Sequence, residues 1–203
     1  MYEGHLFVIS GPSGTGKGTI CRMILEEETG MSLSISMTTR RPRPGEEDGK
    51  SYYFVSHEEF ENKIEAKGFL EYAQIYGNYY GTPKQEVLDT LKKGIDVILE
   101  IDTQGAIQVK KHYPKSVLIF ILPPSMAELR RRITARGAET VEEIKLRMSK
   151  AMKEISFINE YDYYVINAEL AESLNRMNAI IMTERSRVSQ TIYDMIQKYE
   201  EEM

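Results

Sequence analysis

The sequence is poor in the residue types that build disulfides, metal centres and membrane spans. Its 203 residues include one cysteine, Cys21, no tryptophan and three histidines. A single cysteine excludes an internal disulfide and favours a reducing compartment, and the histidines fit no metal-ligand spacing. No stretch approaches the ~20 consecutive apolar residues of a membrane-spanning helix, and the first residues lack the positive segment of a secretory signal. We therefore expect a cytoplasmic protein that does not associate with membranes.

The charge balance also limits the partners. The formal net charge is −5, which disfavours extended binding to nucleic acids or anionic membranes, although local basic patches can still hold phosphate groups. The hydrophobic fraction of 41% is ordinary for a globular chain and argues against wholesale disorder. A chain of this length is sufficient for one α/β domain with a sizeable core.

Short apolar runs alternate with longer helical patterns, which predicts an α/β fold with a doubly wound, mostly parallel sheet. The runs are continuously hydrophobic, as is typical of strands buried on both faces. Capping-box patterns mark helix starts at Ser56, Ser125 and Thr140, and one long amphipathic helix, with one break at most, is predicted over about residues 170–199. The predicted core strands are Leu6–Ser10, Leu33–Ser36, Ile95–Ile101, Val117–Leu122 and Tyr163–Ile166.

The first predicted strand runs into a glycine-rich loop that is followed by a helical pattern. Glycines allow successive backbone amides to turn inward around an anion, the helix N-terminus adds partial positive charge, and Lys17 is placed to reach the β- and γ-phosphates of a nucleotide. All these features coincide, which favours a phosphate-binding loop over a chance glycine-rich turn. The predicted ATP-binding loop consists of Gly11, Pro12, Ser13, Gly14, Thr15, Gly16, Lys17, Gly18 and Thr19.

One position departs from the common pattern of such loops. Gly18 stands where a serine or threonine usually helps to hold Mg²⁺, and Thr19 follows it. Mg²⁺ often keeps several waters and takes its ligands mainly from substrate phosphates. We therefore expect Mg²⁺ to accompany ATP without direct protein ligands, with Glu100 or Asp102 as the candidates for contacts through water.

A basic, proline-rich loop follows the second predicted strand. Arg40 and Arg43 are placed to clamp a phosphate dianion, with the hydroxyl groups of Tyr52 and Tyr80 as further donors. A solvated basic loop is an alternative of about equal weight, since charge runs of this kind usually face water. The loop alone does not decide between the two.

Four segments taken together resemble the guanylate kinase family. They are the phosphate loop, the basic segment Ser36–Glu46, the tyrosine-containing segment Gly77–Gly81 and the segment Ile101–Gly105. They occur in the order and spacing of that family, and the second and third are highly specific to it. The resemblance covers essentially the whole chain and implies a phosphate-loop kinase that transfers phosphate from ATP to GMP, and also to dGMP.

The resemblance also implies which residues bind the acceptor. The arginines and tyrosines of the basic loop would hold the GMP phosphate, while Glu71 and Asp102 would read the guanine, with Ser36 and Thr82 as further contacts to the base. The implied GMP-binding residues are Ser36, Arg40, Arg43, Tyr52, Glu71, Tyr80, Thr82 and Asp102.

The assignment of the two acids has a chemical reason as well. Guanine presents its ring N–H and its exocyclic amine as donors, which suit carboxylates that only accept, whereas adenine has an unprotonated ring nitrogen at the corresponding position. Alternatives remain open at this point. Glu71 could be a surface salt-bridge partner, Asp102 could serve the metal, and Glu100 could share either duty.

An arginine-rich segment surrounds the only glycine between about residues 126 and 147. Transfer of a γ-phosphoryl group requires positive charge around the moving oxygens and exclusion of water, and arginines on a closing lid provide both. By the resemblance, Arg132, Arg136 and Arg147 are catalytic residues of this lid, and Asn167 contacts the ATP adenine. A cationic helix surface paired with glutamates is the alternative for the neighbouring arginines.

The predicted organisation is a single domain with two additions to its core. The core comprises residues 1–36, 84–125 and 148–203, a GMP-binding insertion spans about 37–83, and a lid spans about 126–147. A kinase for another nucleoside monophosphate would lack the paired acids, and a non-catalytic scaffold module typically loses residues of the phosphate loop, whereas Gly16 and Lys17 are intact here. The sequence leaves the oligomeric state open.

Overall fold

The computed structural model describes residues 3–135, 140–188 and 190–203. A 3₁₀ turn at Ile158–Glu160 precedes the last strand. The strands, numbered along the chain, are β1 (Leu6–Ser10), β2 (Met31–Leu33), β3 (Met37–Thr38), β4 (Tyr53–Phe54), β5 (Phe69–Ile75), β6 (Asn78–Pro83), β7 (Asp96–Glu100), β8 (Val117–Leu122) and β9 (Tyr163–Ile166). The helices are α1 (Lys17–Glu27), α2 (His57–Glu65), α3 (Lys84–Lys92), α4 (Thr103–His112), α5 (Met126–Thr134), α6 (Val141–Ile155), α7 (Leu170–Arg185) and α8 (Gln190–Glu201).

The main sheet has five parallel strands in the order β2-β7-β1-β8-β9. Its central strand, β1, is fully buried. Alternate residues of that strand face opposite helix layers, because side chains along a strand point to the two faces in turn. Phe7 and Ile9 pack with α1 and α7, and Leu6 and Val8 pack with α3 and α4. The doubly wound α/β fold predicted from the sequence is confirmed.

A second, smaller sheet has the strand order β4-β3-β6-β5 and mixed directions. It is built entirely from residues of the predicted insertion. Helix α2 covers it through Phe60, whose ring stacks on Phe69 at 4.3 Å and on Tyr79 at 5.1 Å between ring centroids. The strand β5, which carries Glu71, lies at one edge of this sheet.

The main differences from the sequence-based expectation are at edges and ends. The strand predicted at Leu33–Ser36 is wrong, because β2 ends at Leu33; Ser34 keeps one hydrogen bond of 2.9 Å to the Ile98 carbonyl before the chain turns into the second sheet. The long C-terminal helix is divided into α7 and α8, which confirms the single break. None of the helices in the described part of the chain combines the length and apolar content that a bilayer crossing requires.

The predicted helix starts are confirmed, with one difference in detail. Ser56 and Thr140 form reciprocal capping boxes. At Ser125 the hydroxyl caps the backbone N–H of Glu128, but the return bond does not form. The Glu128 carboxylate instead accepts hydrogen bonds from Arg131 and Arg132.

In a doubly wound sheet, ligands bind at the carboxyl ends of the strands, and the predicted phosphate loop and Asp102 follow the carboxyl ends of β1 and β7.

Candidate functional site

The predicted phosphate loop joins β1 to α1 and places Lys17 at the first position of that helix. Gly11, Gly14 and Gly16 have φ angles of 137°, 90° and 90°, a region that glycine enters without the steric cost that other residues meet. The Lys17 ammonium group donates to the carbonyl oxygen of Gly11 at 2.7 Å and to that of Pro12 at 3.2 Å. The loop is thus folded around its own lysine.

Asn167 supports this loop from the end of β9. Its side-chain nitrogen donates to the Thr15 carbonyl at 2.8 Å, and its side-chain oxygen accepts from the Ser173 hydroxyl at 3.0 Å. A Cβ atom at Gly16 would lie 2.4 Å from the Asn167 nitrogen, so the loop and the amide are in direct contact. The resemblance implies an adenine contact for Asn167; in the structure both ends of its buried amide are engaged by the protein.

A cavity of about 620 Å³ opens in front of the phosphate loop. Glu100 and Asp102 line it from the end of β7 and the start of α4, and Lys150 and Glu154 line it from α6. Burial lowers the pKa of Lys17, while the surrounding acids, Glu100 foremost, oppose that shift. The cavity therefore combines the glycine-rich loop with charged side chains of both signs.

The surroundings of Gly18 are compatible with Mg²⁺ that is carried by a nucleotide. A Cβ atom at Gly18 would lie 3.4 Å from both carboxylate oxygens of Glu100, so an acid lies next to the position where a loop hydroxyl would otherwise project. Within the described ranges, no group of three or more His, Cys, Asp and Glu side chains could hold a metal ion. One or two carboxylates beside a phosphate site are the donor set for Mg²⁺ that is held mainly through phosphates and water.

A smaller cavity of about 160 Å³ has two lining residues in common with the first. Three of the predicted acceptor residues, Ser36, Tyr52 and Thr82, line it. Glu100 and Ile101 line both cavities. The phosphate-loop cavity and the cavity lined by the predicted acceptor residues therefore meet at the carboxyl end of β7.

Glu71 is buried beside the start of α4, with 8% of its surface exposed. The Thr82 hydroxyl donates to Glu71 Oε1 at 2.6 Å. Burial raises the pKa of Glu71 to about 7, and the negative charge of Asp102 acts in the same direction, while the Thr82 hydrogen bond opposes both. Glu71 is therefore not the surface salt-bridge partner that its strand position also allowed.

Asp102 lies at the N-cap of α4. Its Oδ1 atom accepts the backbone N–H of Gly105 at 2.8 Å, which satisfies one of the free amides at the start of that helix. Its carboxylate also lines the phosphate-loop cavity. Asp102 is thus placed between Glu71 and the phosphate loop, and the structure leaves both of its predicted duties open.

The predicted phosphate clamp is partly assembled. The Arg40 guanidinium forms a two-point pair with Glu46, with N–O distances of 3.0 and 2.8 Å, and lies 5.5 Å from the centroid of the Tyr52 ring. The Tyr52 and Tyr80 rings are 6.2 Å apart. Arg43 belongs to the same loop and its backbone N–H donates to Glu46 at 2.8 Å, but its side chain is exposed. The structure therefore brings Arg40 and both tyrosines together.

The predicted lid arginines fall in three different situations. Arg132 donates to Glu128 at 2.8 Å and to the Asn167 carbonyl at 3.0 Å, which connects α5 to the support of the phosphate loop. Arg147 lies on α6, one turn before Lys150. Arg136 lies outside the described residues. Hydrogen bonds from the neighbouring arginines lower the pKa of Glu128 to about 2.

Sequence reasoning assigned no role to three residues that the structure brings into these sites. The Glu46 carboxylate accepts hydrogen bonds from the Arg40 side chain and from the backbone of Arg43. Its position just after the basic run is the sequence feature that could have indicated this pairing. Lys150 and Glu154 line the phosphate-loop cavity. They follow Arg147 at i+3 and i+7, so they lie on its face of α6, but charges that face solvent show the same spacing.

Comparisons with known proteins agree with this geometry. Residues 3–184 match the family model described as guanylate kinase. The chain is 54% identical to the guanylate kinase of Clostridium tetani over 188 residues, which covers 93% of this chain and 90% of that protein. It is 52% identical over 200 residues to the guanylate kinase of Caldanaerobacter subterraneus subsp. tengcongensis, with 98% and 97% covered. The crystal structure of guanylate kinase from Anaplasma phagocytophilum aligns with a TM-score of 0.72 at 35% identity, covering 92% of this chain and 89% of that one.

Proposed function

The chain belongs to the guanylate kinase family, and we propose that it transfers the γ-phosphoryl group of ATP to the phosphate of GMP, giving ADP and GDP. The observation that carries this function is the junction of the two cavities at Glu100 and Ile101. One cavity has a phosphate loop with its lysine, and the other is lined by residues predicted to bind GMP. A shared boundary allows the two nucleotides to approach each other end to end, as in-line transfer requires.

The acceptor is held at both of its ends. Arg40, Arg43, Tyr52 and Tyr80 bind the GMP phosphate, because a guanidinium fork and phenolic hydroxyls are donors matched to phosphate oxygens. At the other end, Glu71 and Asp102 accept hydrogen bonds from the guanine ring N–H and the exocyclic amine, with Ser36 and Thr82 beside them. None of these roles concerns the sugar 2′ position, and dGMP is accordingly a second acceptor.

Catalysis on the donor side consists of positioning and charge neutralisation. The residues Gly11–Thr19 bind the ATP phosphates through backbone amides, and Lys17 moves from its loop carbonyls to the β- and γ-phosphates. Glu100 or Asp102 would hold water ligands of Mg²⁺, whose charge would offset that of the phosphates. The acceptor phosphate is already ionised, so no general base is needed.

The arginines of the lid complete the site. Arg132, Arg136 and Arg147 supply positive charge to the oxygens of the moving group and, by closing, exclude water that would otherwise accept the phosphate. Asn167 holds the phosphate loop, and to act as the predicted adenine contact its amide would exchange its hydrogen bond with Thr15 or Ser173 for one with the base. The domain organisation that we propose is a core of residues 1–36, 84–125 and 148–203, with a GMP-binding insertion at about 37–83 and the lid at about 126–147.

The cellular setting that we propose follows from the substrates and the composition. ATP and GMP are the partners, and the reaction recycles GMP within purine nucleotide metabolism. A single buried cysteine is suited to a reducing cytoplasm, and the negative net charge gives no support for a nucleic-acid partner.

A coupled assay of ADP release tests the function directly. The enzyme is supplied with ATP, Mg²⁺ and one acceptor at a time from GMP, dGMP, AMP, UMP, CMP and dTMP, and a parallel series replaces Mg²⁺ with EDTA. We expect fast turnover with GMP, slower turnover with dGMP and none without the metal. Turnover with AMP in place of GMP would overturn the roles of Glu71 and Asp102, and GMP binding without any turnover would show a scaffold in place of a kinase.

A further inference from the structure

One face of α4 packs against the strand that carries Glu71. Gly105, Gln108 and His112 are spaced at i, i+3 and i+7 along this helix, so they lie on one side of it. That side contacts β5, whereas Asp102 caps the N-terminus of the same helix. A single rigid element therefore contacts both acids of the proposed guanine site.

Gln108 and His112 form hydrogen bonds with backbone groups on the outer edge of β5. That strand is the last in its sheet, so alternate backbone groups have no strand partner. Gln108 accepts from the Tyr72 N–H through Oε1 and donates to the Tyr72 carbonyl through Nε2, at 3.3 Å in each case. His112 Nδ1 lies 2.7 Å from the Leu70 carbonyl, and it is the donor because a carbonyl oxygen only accepts. The residues on both sides of Glu71 are thereby tied to α4.

Gly105 contacts Glu71 itself. A Cβ atom at this position would lie 3.1 Å from Glu71 Oε2 and 3.4 Å from its Cδ. The carboxylate has little freedom to yield, because Thr82 holds its other oxygen at 2.6 Å. The backbone N–H of Gly105 also donates to Asp102 at 2.8 Å. The backbone amide of Gly105 thus holds Asp102, and the absence of a side chain at Gly105 leaves room for the carboxylate of Glu71.

We propose that Gly105, Gln108 and His112 form a positioning face that fixes the Glu71 carboxylate relative to Asp102 and so sets the discrimination between guanine and other bases. The inference rests on the proposed function, because it concerns the same base site. Hydrogen bonds to the guanine ring N–H and exocyclic amine are directional, and small displacements of positioning groups lower catalytic efficiency strongly. None of the three residues lines the phosphate-loop cavity, so they act on acceptor binding and not on the transfer itself.

The test compares GMP with IMP, which lacks only the exocyclic amine. Gly105→Ala adds one methyl group against Glu71, and Gln108→Ala removes the link to Tyr72 without adding volume. Lys111→Ala, on an exposed position of the same helix, is the matched control. For Gly105→Ala we expect the KM for GMP to rise about tenfold, as a displaced hydrogen-bonding group predicts. The preference for GMP over IMP in kcat/KM falls by a smaller factor, because IMP keeps the ring N–H contact but has no amine contact to lose. The kcat and the KM for ATP remain within about twofold of the unsubstituted enzyme, since the donor site is unchanged.

A double-substitution cycle separates positioning from general damage to the fold. In a Glu71→Ala background the carboxylate that Gly105→Ala would displace is absent, so we expect no further change in the ratio of GMP to IMP. Equal losses for GMP and IMP, or the same effect of Gly105→Ala with and without Glu71, would overturn the positioning role. An unsubstituted enzyme that does not prefer GMP to IMP would instead overturn the proposed function. The kinetics of the unsubstituted enzyme with GMP and IMP are therefore measured before those of any variant.

Discussion

The hydroxyl group of Thr82 donates a 2.6 Å hydrogen bond to the buried carboxylate of Glu71, and no Lys, Arg or His within the described ranges forms an ion pair with that carboxylate. A buried acid with a neutral partner is costly to ionise, which is why its pKa is raised to about 7. The free enzyme therefore holds Glu71 partly protonated near neutral pH, although the proposed contact with guanine requires the ionised form.

The first prediction concerns the pH dependence of GMP binding. Below the raised pKa of about 7, GMP must bind against the protonation of Glu71, so the KM for GMP rises by up to about tenfold for each unit that the pH falls. The KM for ATP serves as the internal control, because Glu71 does not line the phosphate-loop cavity. Steady-state kinetics between pH 5.5 and 8.5 check it; a KM for GMP that is flat over this range would contradict it.

The same residue links pH to the stability of the fold. The folded pKa of Glu71 is about 7 against an ordinary value of 4.5, so its favourable contribution is fully present below the unfolded pKa and is lost as the pH rises through the folded pKa. We expect Glu71→Gln to raise the Tm at pH 8 by a few degrees, about 3 °C, and to raise it less at pH 5. Thermal unfolding at the two pH values measures this, and a Tm gain that is larger at pH 5 would reverse the sign of the argument.

Lys17→Ala separates chemistry from acceptor binding. Loss of the ammonium group removes charge stabilisation of the transferring phosphate, so we expect kcat to fall by about a thousandfold. The Kd for GMP, measured by calorimetry without ATP, stays within about twofold because the lysine does not contact the acceptor site. Lys111→Ala serves as the control for the loss of a lysine. An equal loss of GMP affinity would show that the two cavities are not separate binding sites.

Glu46→Ala tests the assembly of the phosphate clamp. Glu46 holds the Arg40 guanidinium at two points and the backbone of Arg43 at one, so its removal releases both residues. We expect the KM for GMP to rise about tenfold as the arginine loses its fixed orientation, with the KM for ATP unchanged. Glu47→Ala, in the same loop and with its carboxylate paired to the exposed Lys50, is expected to behave as the unsubstituted enzyme. If Glu46→Ala lowers the KM for GMP, the glutamate competes with the substrate and does not orient its partner.

Asn167→Ala tests the support of the phosphate loop. The substitution leaves the buried Thr15 carbonyl without its donor, which destabilises the protein by about 1–3 kcal/mol. It also loosens the loop, so the KM for ATP rises while the KM for GMP changes little. Asn175→Ala, at an exposed position of α7, is the matched control. Denaturant unfolding and steady-state kinetics measure the two effects, and unaltered stability would show that the amide is free to serve another purpose.

The glycine-rich loop between β1 and α1 could be located from the sequence because its signal is local. Consecutive residues from Gly11 to Lys17 determine its shape and its charge. Interior strands were predicted within a residue or two for a similar reason, since burial on both faces gives continuous apolar runs. Of the two edge strands of the main sheet, β9 was predicted at its observed bounds, whereas the strand predicted at Leu33–Ser36 was misplaced. Leu33 itself is 46% exposed, so burial does not mark where that strand ends.

Contributions from distant elements were harder to predict. Lys150 and Glu154 reach the phosphate-loop cavity only because α6 docks beside it, through the contact of Ala151 and Met148 with α5. On a helical surface such charges have the same pattern as solvated ones. The support role of Asn167 depends on a carbonyl 152 positions away in the chain, and no local pattern encodes that distance.

The hydrogen bonds from Lys17 to the carbonyls of Gly11 and Pro12 have a consequence for nucleotide affinity. The ammonium group has partners before ATP arrives, so binding exchanges one set of acceptors for another and yields only the difference between them. In return, the loop is preorganised and loses little conformational entropy on loading. The affinity for nucleotide is thus lower than the number of contacts would suggest, while the loop needs little rearrangement on binding. This combination favours rapid exchange of ADP for ATP at the end of each cycle.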